Sequence, residues 1–86
     1  MPTDRANAPR EADVARVRSA ILAYLERHAN AADTREGIID WWLPIEQRVM
    51  DRAVIERALE LLVAEGVLVG ARLVDGTVLY RRAMAP

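Results

Sequence analysis

Several residue types that would indicate particular chemistry are missing from this chain. Its 86 residues contain no cysteine, which excludes disulfides, thiolate zinc sites and a cysteine nucleophile. Lysine and phenylalanine are also absent, and His28 is the single histidine. No apolar run approaches the roughly 20 residues of a membrane-spanning helix, and the first residues lack the apolar segment of a signal peptide. We therefore expect a cytoplasmic protein that does not enter a membrane.

An excess of positive charge is missing as well. Twelve arginines stand against thirteen carboxylates, for a formal net charge of −1, so overall charge does not predict a polyanion partner. A hydrophobic share of 52% beside 29% charged residues is typical of a globular chain. A chain of this length predicts one domain with a small core.

Catalytic patterns are equally scarce. His28 lies near the predicted end of a helix, where the dipole favours a cation, and no nucleophile is paired with it. The carboxylates lie at salt-bridge spacings rather than around histidines as metal ligands would. There is no glycine-rich phosphate loop. The sequence thus predicts no enzyme, no cofactor and no metal.

The most informative pattern is a helix, a glycine and a hairpin in the second half of the chain. Asp51 suits an N-cap, and Gly66 suits the left-handed conformation that ends a helix. Between them, over about 51–65, apolar residues recur at the spacing of one helical face. The predicted buried stripe comprises Ile55, Ala58, Leu59, Leu62 and Val63.

Two segments rich in β-forming residues follow, Leu68–Val74 and Thr77–Arg82. Asp75-Gly76 between them suits a two-residue type I′ turn, which would pair Val74 with Thr77 and Arg72 with Leu79. The predicted buried face then comprises Val69, Ala71, Leu73, Val78 and Tyr80. The solvent face comprises Gly70, Arg72, Thr77 and Arg81, with Leu79 as an apolar exception.

The first half of the chain supplies two more helices. Residues 1–10 are predicted to be a frayed arm. A first helix should begin between Pro9 and Asp13 and end near Asn30, and Ala31–Asp33 could add a third strand at the edge of the sheet. The buried stripe of this helix is predicted to comprise Val14, Val17, Ile21, Leu25 and Tyr24.

A second helix is predicted to begin at Asp33 or Thr34, because Asp33 and Glu36 have the spacing of a capping box. It should continue through Leu43 and end soon afterwards because of Pro44. Its apolar residues comprise Ile38, Ile39, Trp42 and Leu43.

This order resembles the winged helix-turn-helix superfamily over about 11–82, with 83–86 as a tail. The fold class is mainly α with a small antiparallel hairpin, an α+β winged helix of three helices and two or three strands. The resemblance rests on Thr34, Asp51, Ala58-Leu59 with Leu62, Gly66-Val67-Leu68 and Asp75-Gly76. It implies a small DNA-binding transcriptional regulator, with the third helix in the major groove and the wing, about 67–82, on the backbone. A homodimer would match palindromic half-sites.

The local charges leave an alternative open. Four arginines and seven carboxylates lie between Thr34 and Glu65, whereas three arginines and one aspartate follow Gly66. Within the third helix, Arg52–Glu56 and Arg57–Glu60 have the spacing of ion pairs. The candidate contacts to double-stranded DNA are Arg48, Arg52, Arg57, Arg72, Arg81 and Arg82. The alternative is a winged-helix module that binds a partner protein and no DNA.

Trp41-Trp42 presents a second choice. Adjacent residues on a helix point about 100° apart, so Trp42, which shares a face with Ile38, is predicted to be buried. Trp41 either packs beneath the Pro44–Met50 loop or anchors an interface. In the interface reading, Leu22 and Tyr24 of the first helix could contribute to the same contact.

Overall fold

The computed structural model describes residues 10–83 and has the α+β layout of a winged helix. The predicted arm before Arg10 and the tail from Met84 lie outside the described residues. Within residues 10–83, no helix is long and apolar enough to cross a membrane. The elements are α1 (Glu11–Arg27), β1 (Ala32–Thr34), α2 (Arg35–Gly37) continued by a π-helical turn (Ile38–Trp42), a 3₁₀ turn (Ile45–Gln47), α3 (Arg52–Ala64), β2 (Leu68–Arg72) and β3 (Val78–Arg82).

The core lies between α1 and α3. The predicted α1 stripe is confirmed for Val14, Val17, Ile21 and Leu25, which are buried, while Tyr24 is half-buried at its edge. The predicted end near Asn30 is wrong. His28 donates its backbone N–H to the carbonyl of Tyr24 (2.9 Å), but its own backbone conformation (φ −134°, ψ 69°) is no longer helical.

The α3 stripe is correct except at its last member. Val63 is exposed, and Val54 is buried in its place. The buried face of α3 therefore includes Val54, one residue before Ile55, and Val63 lies outside it. They comprise Val54, Ile55, Ala58, Leu59 and Leu62.

Both predicted caps of α3 are present. The Asp51 carboxylate accepts the Ala53 N–H at 3.4 Å. At the other end, Gly66 has φ +79° and donates its N–H to the carbonyl of Val63 (3.1 Å), while Val67 donates to Leu62 (2.9 Å). These two bonds form a Schellman motif, which needs a left-handed residue at the glycine position.

The second helix differs from the prediction in its cap and its pitch. Thr34, rather than an Asp33–Glu36 box, is the N-cap, because its hydroxyl accepts the Gly37 N–H at 3.2 Å. The Asp33 carboxylate instead accepts the Thr34 N–H (2.9 Å) and fills the space that a Cβ on Gly37 would occupy. Beyond Gly37 the backbone is π-helical, and Leu43 donates to the carbonyl of Ile38, five residues earlier (3.2 Å).

The sheet has the order β1-β3-β2 and is antiparallel throughout, so the predicted third edge strand is confirmed. The predicted hairpin register is wrong by one residue, because Arg72 pairs with Val78 and Ala71 with Leu79. A type I′ turn needs positive φ at both central residues, and only Gly76 has one (+91°).

The observed turn has three residues in its loop. Leu73 donates to the carbonyl of Thr77 (2.7 Å), and Gly76 donates to that of Leu73 (2.9 Å). This is a type I turn followed by a glycine bulge. The extra residue exchanges the two faces of β2. Leu68 is consequently buried, whereas Val69, Ala71 and Leu73, which were predicted to be covered, are exposed.

Candidate interaction surface

The exposed side of α3 is covered with ion pairs. Arg57 Nη1 lies 3.3 Å from Glu60 Oε1, as predicted. The predicted Arg52–Glu56 pair is wrong, because the Glu56 carboxylate accepts a hydrogen bond from Arg35 at the start of α2.

Arg35 and Glu36 join α2 to α3 through this network. Arg35 Nη2 lies 3.0 Å from Glu36 Oε2, and Arg52 Nη1 lies 3.9 Å from the same oxygen. Hydrogen bonds from its own backbone amide and from Arg35 hold the pKa of Glu36 below its ordinary value of 4.5. Each of the three arginines on this surface, Arg35, Arg52 and Arg57, therefore already has a glutamate partner.

The wing arginines have different surroundings. Arg72, Arg81 and Arg82 are exposed, and none lies within 4.0 Å of a carboxylate among residues 10–83. The Arg81 guanidinium donates to the carbonyl of Arg82 (3.4 Å). The aspartate of the wing, Asp75, is used in the turn, where hydrogen bonds from the Thr77 amide and hydroxyl lower its pKa.

Arg48, the remaining predicted DNA contact, lies in the segment between α2 and α3. Its Nε donates to the carbonyl of Leu43 at 3.2 Å, so part of the guanidinium holds the loop. Of the six predicted contacts, Arg52 and Arg57 lie on α3 and are paired, whereas Arg72, Arg81 and Arg82 lie on the hairpin and have no carboxylate partner among residues 10–83. Arg48 precedes both groups in the sequence, at the loop before α3.

A groove runs between α3 and the wing. One part, a cavity of about 500 Å³, is lined by Arg35, Glu36, Glu56, Glu60 and Thr77 together with Tyr80. A second part, of about 390 Å³, is lined by Leu59, Val63, Gly70, Val78 and again Glu60 and Tyr80. Because the two parts share walls, they form one groove with a charged end and an apolar end.

The two tryptophans have opposite environments. Trp42 is 5% exposed and stacks on Tyr24, with ring centroids 4.8 Å apart and planes at 9°, so its predicted burial is confirmed. Trp41 is 73% exposed, and the reading that packs it beneath the Pro44–Met50 loop is wrong. Ile45 and Val49 in that loop are also largely exposed, so this segment presents three large apolar side chains to solvent.

The other two predicted interface residues are tied to the core. Leu22 and Tyr24 are partly buried and pack against the buried cluster. Tyr24 also contacts His28, with ring centroids 4.4 Å apart. Of the three candidates, Trp41 alone offers most of its side chain to a partner.

Two ion pairs and the groove were missed from the sequence. The Arg35–Glu56 pair joins residues 21 positions apart, and Arg18 on α1 pairs with Glu65 beyond α3 (2.5 Å) across 47 positions. Helical spacing identifies neighbours three or four residues apart, so it carries no signal for either contact. The groove was also missed, because the wrong hairpin register assigned Val78 and Tyr80 to the face opposite Gly70.

Within the part of the chain that the structure describes, no three histidines or carboxylates are grouped so that they could hold a metal ion. Comparison of the chain with protein-family models, curated proteins and solved structures finds no match.

Proposed function

We propose that this chain is a non-catalytic winged-helix module that binds a partner protein through α3 and the wing. The observation that carries the proposal is the pairing of Arg35, Arg52 and Arg57 with glutamates of the same surface. In a DNA-binding winged helix the third helix would lie in the major groove, where Arg52 and Arg57 would be needed as free cations or base-reading side chains.

Phosphate binding by this surface would be unfavourable for a simple electrostatic reason. Nonspecific affinity for DNA comes mainly from arginines and lysines that replace the counterions of the phosphates. A phosphate beside Arg57, for example, would also lie beside the Glu60 carboxylate that is paired with it, and the two anions would repel each other. A phosphate beside Arg35 would likewise lie beside Glu56. A protein partner does not impose this cost, because it can offer groups of either charge.

Exposed apolar side chains between α2 and α3 support the same proposal. Trp41, Ile45 and Val49 are 73%, 74% and 86% exposed. Tryptophan is enriched among the residues that dominate protein–protein binding energies. Exposed aliphatic side chains add apolar area that an interface can bury. Paired charges on α3 and exposed apolar side chains between α2 and α3 are features that suit a protein partner better than a phosphate backbone.

Fluorescence anisotropy with labelled DNA duplexes of mixed sequence tests the expectation that the chain does not bind DNA. At low salt and tens of micromolar protein we expect no saturable signal. Tight binding that weakens steeply as salt rises would contradict the proposal, since that dependence marks phosphate neutralisation.

Site-specific photo-crosslinking in the native cell tests the expectation that α3 contacts a partner protein. A photoreactive amino acid replaces Arg57 on α3, and the matched control replaces Arg27, which is exposed at the end of α1. We expect one discrete adduct of a protein at position 57, resistant to nuclease, and none at position 27. An adduct that nuclease removes would contradict the proposal.

A second candidate function, backbone contact to DNA through the wing, is favoured by one observation. Arg72, Arg81 and Arg82 have no carboxylate partner among the described residues. If the anisotropy titration does detect DNA, Arg72→Ala or Arg81→Ala should weaken binding equally for all sequences and lower the salt dependence by about one counterion each. Arg27→Ala is the control that should change neither quantity.

A further inference from the structure

The groove between α3 and the wing has a chemical polarity along its length. Glu60, Val78 and Tyr80 lie at the junction of its two ends. On one side of them the walls are aliphatic, and on the other side they carry charge. An occupant must therefore combine two kinds of side chain in a fixed order.

The apolar end is lined in part by a strand residue that lacks a side chain. A Cβ on Gly70 would lie 3.1 Å from Val78 Cγ1 and 3.6 Å from Tyr80 Cε1. Gly70 has no positive φ, so its backbone conformation does not require glycine. Gly70 therefore borders, without a side chain of its own, a part of the groove of about 390 Å³ that Leu59 and Val63 of α3 also line.

The charged end carries more carboxylate than guanidinium. Three glutamates, Glu36, Glu56 and Glu60, line it together with a single arginine, Arg35. Arg52 and Arg57 approach Glu36 and Glu60 but do not line this cavity. A carboxylate accepts several hydrogen bonds on its two oxygens, so these glutamates can accept additional donors from an occupant.

We infer that the groove binds a segment of the partner protein in which an apolar residue is followed closely by arginine or lysine. The apolar side chain enters beside Gly70, and the cation contacts Glu60 and Glu56 across the face of Tyr80, where an aromatic ring also attracts a cation. This inference rests on the proposed function and adds to it the place of binding and the chemistry of the bound segment.

Titrations of ¹⁵N-labelled protein with short synthetic peptides test the inference. Three peptides of equal length serve as probes: one with leucines followed by arginines, one with serines followed by arginines, and one with leucines followed by glutamates. We expect the leucine–arginine peptide alone to shift the amide signals of Glu60, Gly70 and Tyr80 in a saturable way. Absence of such shifts, or equal binding of the serine–arginine peptide, overturns the inference.

Substitutions in the groove test the same contacts between the groove and the peptide. Gly70→Val adds a side chain to the wall of the apolar end beside Val78 and should weaken binding of the leucine–arginine peptide by roughly tenfold or more, the scale of one well-placed interface contact. Ala71→Val is the matched control, because it adds a similar side chain to the opposite, exposed face of the same strand. Equal affinities for the two variants overturn the inference.

The charged end has its own variant and its own control. Glu60→Gln should weaken binding of the leucine–arginine peptide several-fold, more at low salt than at high salt. Glu26→Gln, an exposed glutamate of α1, should leave it unchanged. The spectra themselves report whether each variant is folded. If these peptides fail while the crosslink at position 57 persists, the groove inference falls and the proposed function stands. Saturable DNA binding would instead remove the proposed function.

Discussion

Trp41→Ala and Trp42→Ala should change the free energy of unfolding by very different amounts, although the two residues are adjacent in the sequence and lose the same side chain. Trp42 is 5% exposed and stacked on Tyr24, whereas Trp41 is 73% exposed. Truncating a buried tryptophan to alanine costs about 3–5 kcal/mol, because the transfer free energy is lost and a cavity remains. Surface substitutions usually change stability by less than about 0.5 kcal/mol.

The size of the domain makes this difference decisive. Natural domains are stabilised by roughly 0.05–0.15 kcal/mol per residue, so a chain of 86 residues has a total stability of about 4–13 kcal/mol. Trp42→Ala should therefore remove a large part of the free energy of unfolding or prevent folding. Trp41→Ala should leave it nearly intact.

Urea denaturation followed by far-UV circular dichroism measures both effects, because the helical signal does not depend on tryptophan fluorescence. Free energies of unfolding come from the midpoint and the slope of each transition. A loss above about 2 kcal/mol for Trp41→Ala would refute the assignment of this ring to the surface. A loss below about 1 kcal/mol for Trp42→Ala would refute the packing of the second helix. Tyr24→Leu, which removes the stacked ring but keeps an apolar side chain, should cost an intermediate amount.

Three further predictions test the hairpin register, the helix cap and the charged surface. In urea denaturation, Leu68→Ala should cost about 2–5 kcal/mol, while Val69→Ala should cost less than about 0.5 kcal/mol. The reverse order would contradict the three-residue loop and support the register of a two-residue turn. Gly66→Ala should lower the free energy of unfolding by roughly 1–2 kcal/mol through its positive φ alone, because a Cβ there has open space. The pKa of Glu36 is lowered in the folded state, so its contribution to stability is present above pH 4.5 and is lost as pH falls below that value. Acidification should accordingly destabilise Glu36→Gln less than the unsubstituted protein, and identical pH profiles would contradict the hydrogen bonds assigned to this carboxylate.

The elements that depend on local chemistry were predictable from the sequence. Asp51 and Gly66 bound α3 because a carboxylate satisfies free amides at one end and a glycine adopts positive φ at the other. The burial of Trp42 followed from the angle between adjacent helical residues, even though the backbone there is π-helical rather than α-helical. In each case the cause lies within a few residues of the effect.

The hairpin register depended on a finer distinction. Asp75-Gly76 is compatible both with a two-residue loop and with a three-residue loop that begins at Val74. The choice rests on the φ of one residue, Asp75, and it reverses which side chains of β2 face the core. Composition of the strands offered no correction, because Leu68 and Val69 are both apolar and either can be buried.

The charges of the candidate surface could be counted but not paired. Arg52 and Glu56 have ideal helical spacing, yet Glu56 contacts Arg35 of the preceding helix instead. That competition is decided by how α2 packs against α3, which is a property of the folded domain. The count of acidic residues nevertheless indicated that both arginines of α3, Arg52 and Arg57, would have a glutamate beside them.

The strand order β1-β3-β2 also governs when this domain can fold during synthesis. β3 is the latest element of the described chain to leave the ribosome, yet it is the strand to which both β1 and β2 are hydrogen-bonded. Until Val78–Arg82 emerges, β1 has no neighbour and the wing has one strand. The α-helices can form early, but closure of the sheet must wait for the complete hairpin. A chain that ends before Val78 would therefore lack both strand pairings of the sheet, β1 with β3 and β2 with β3.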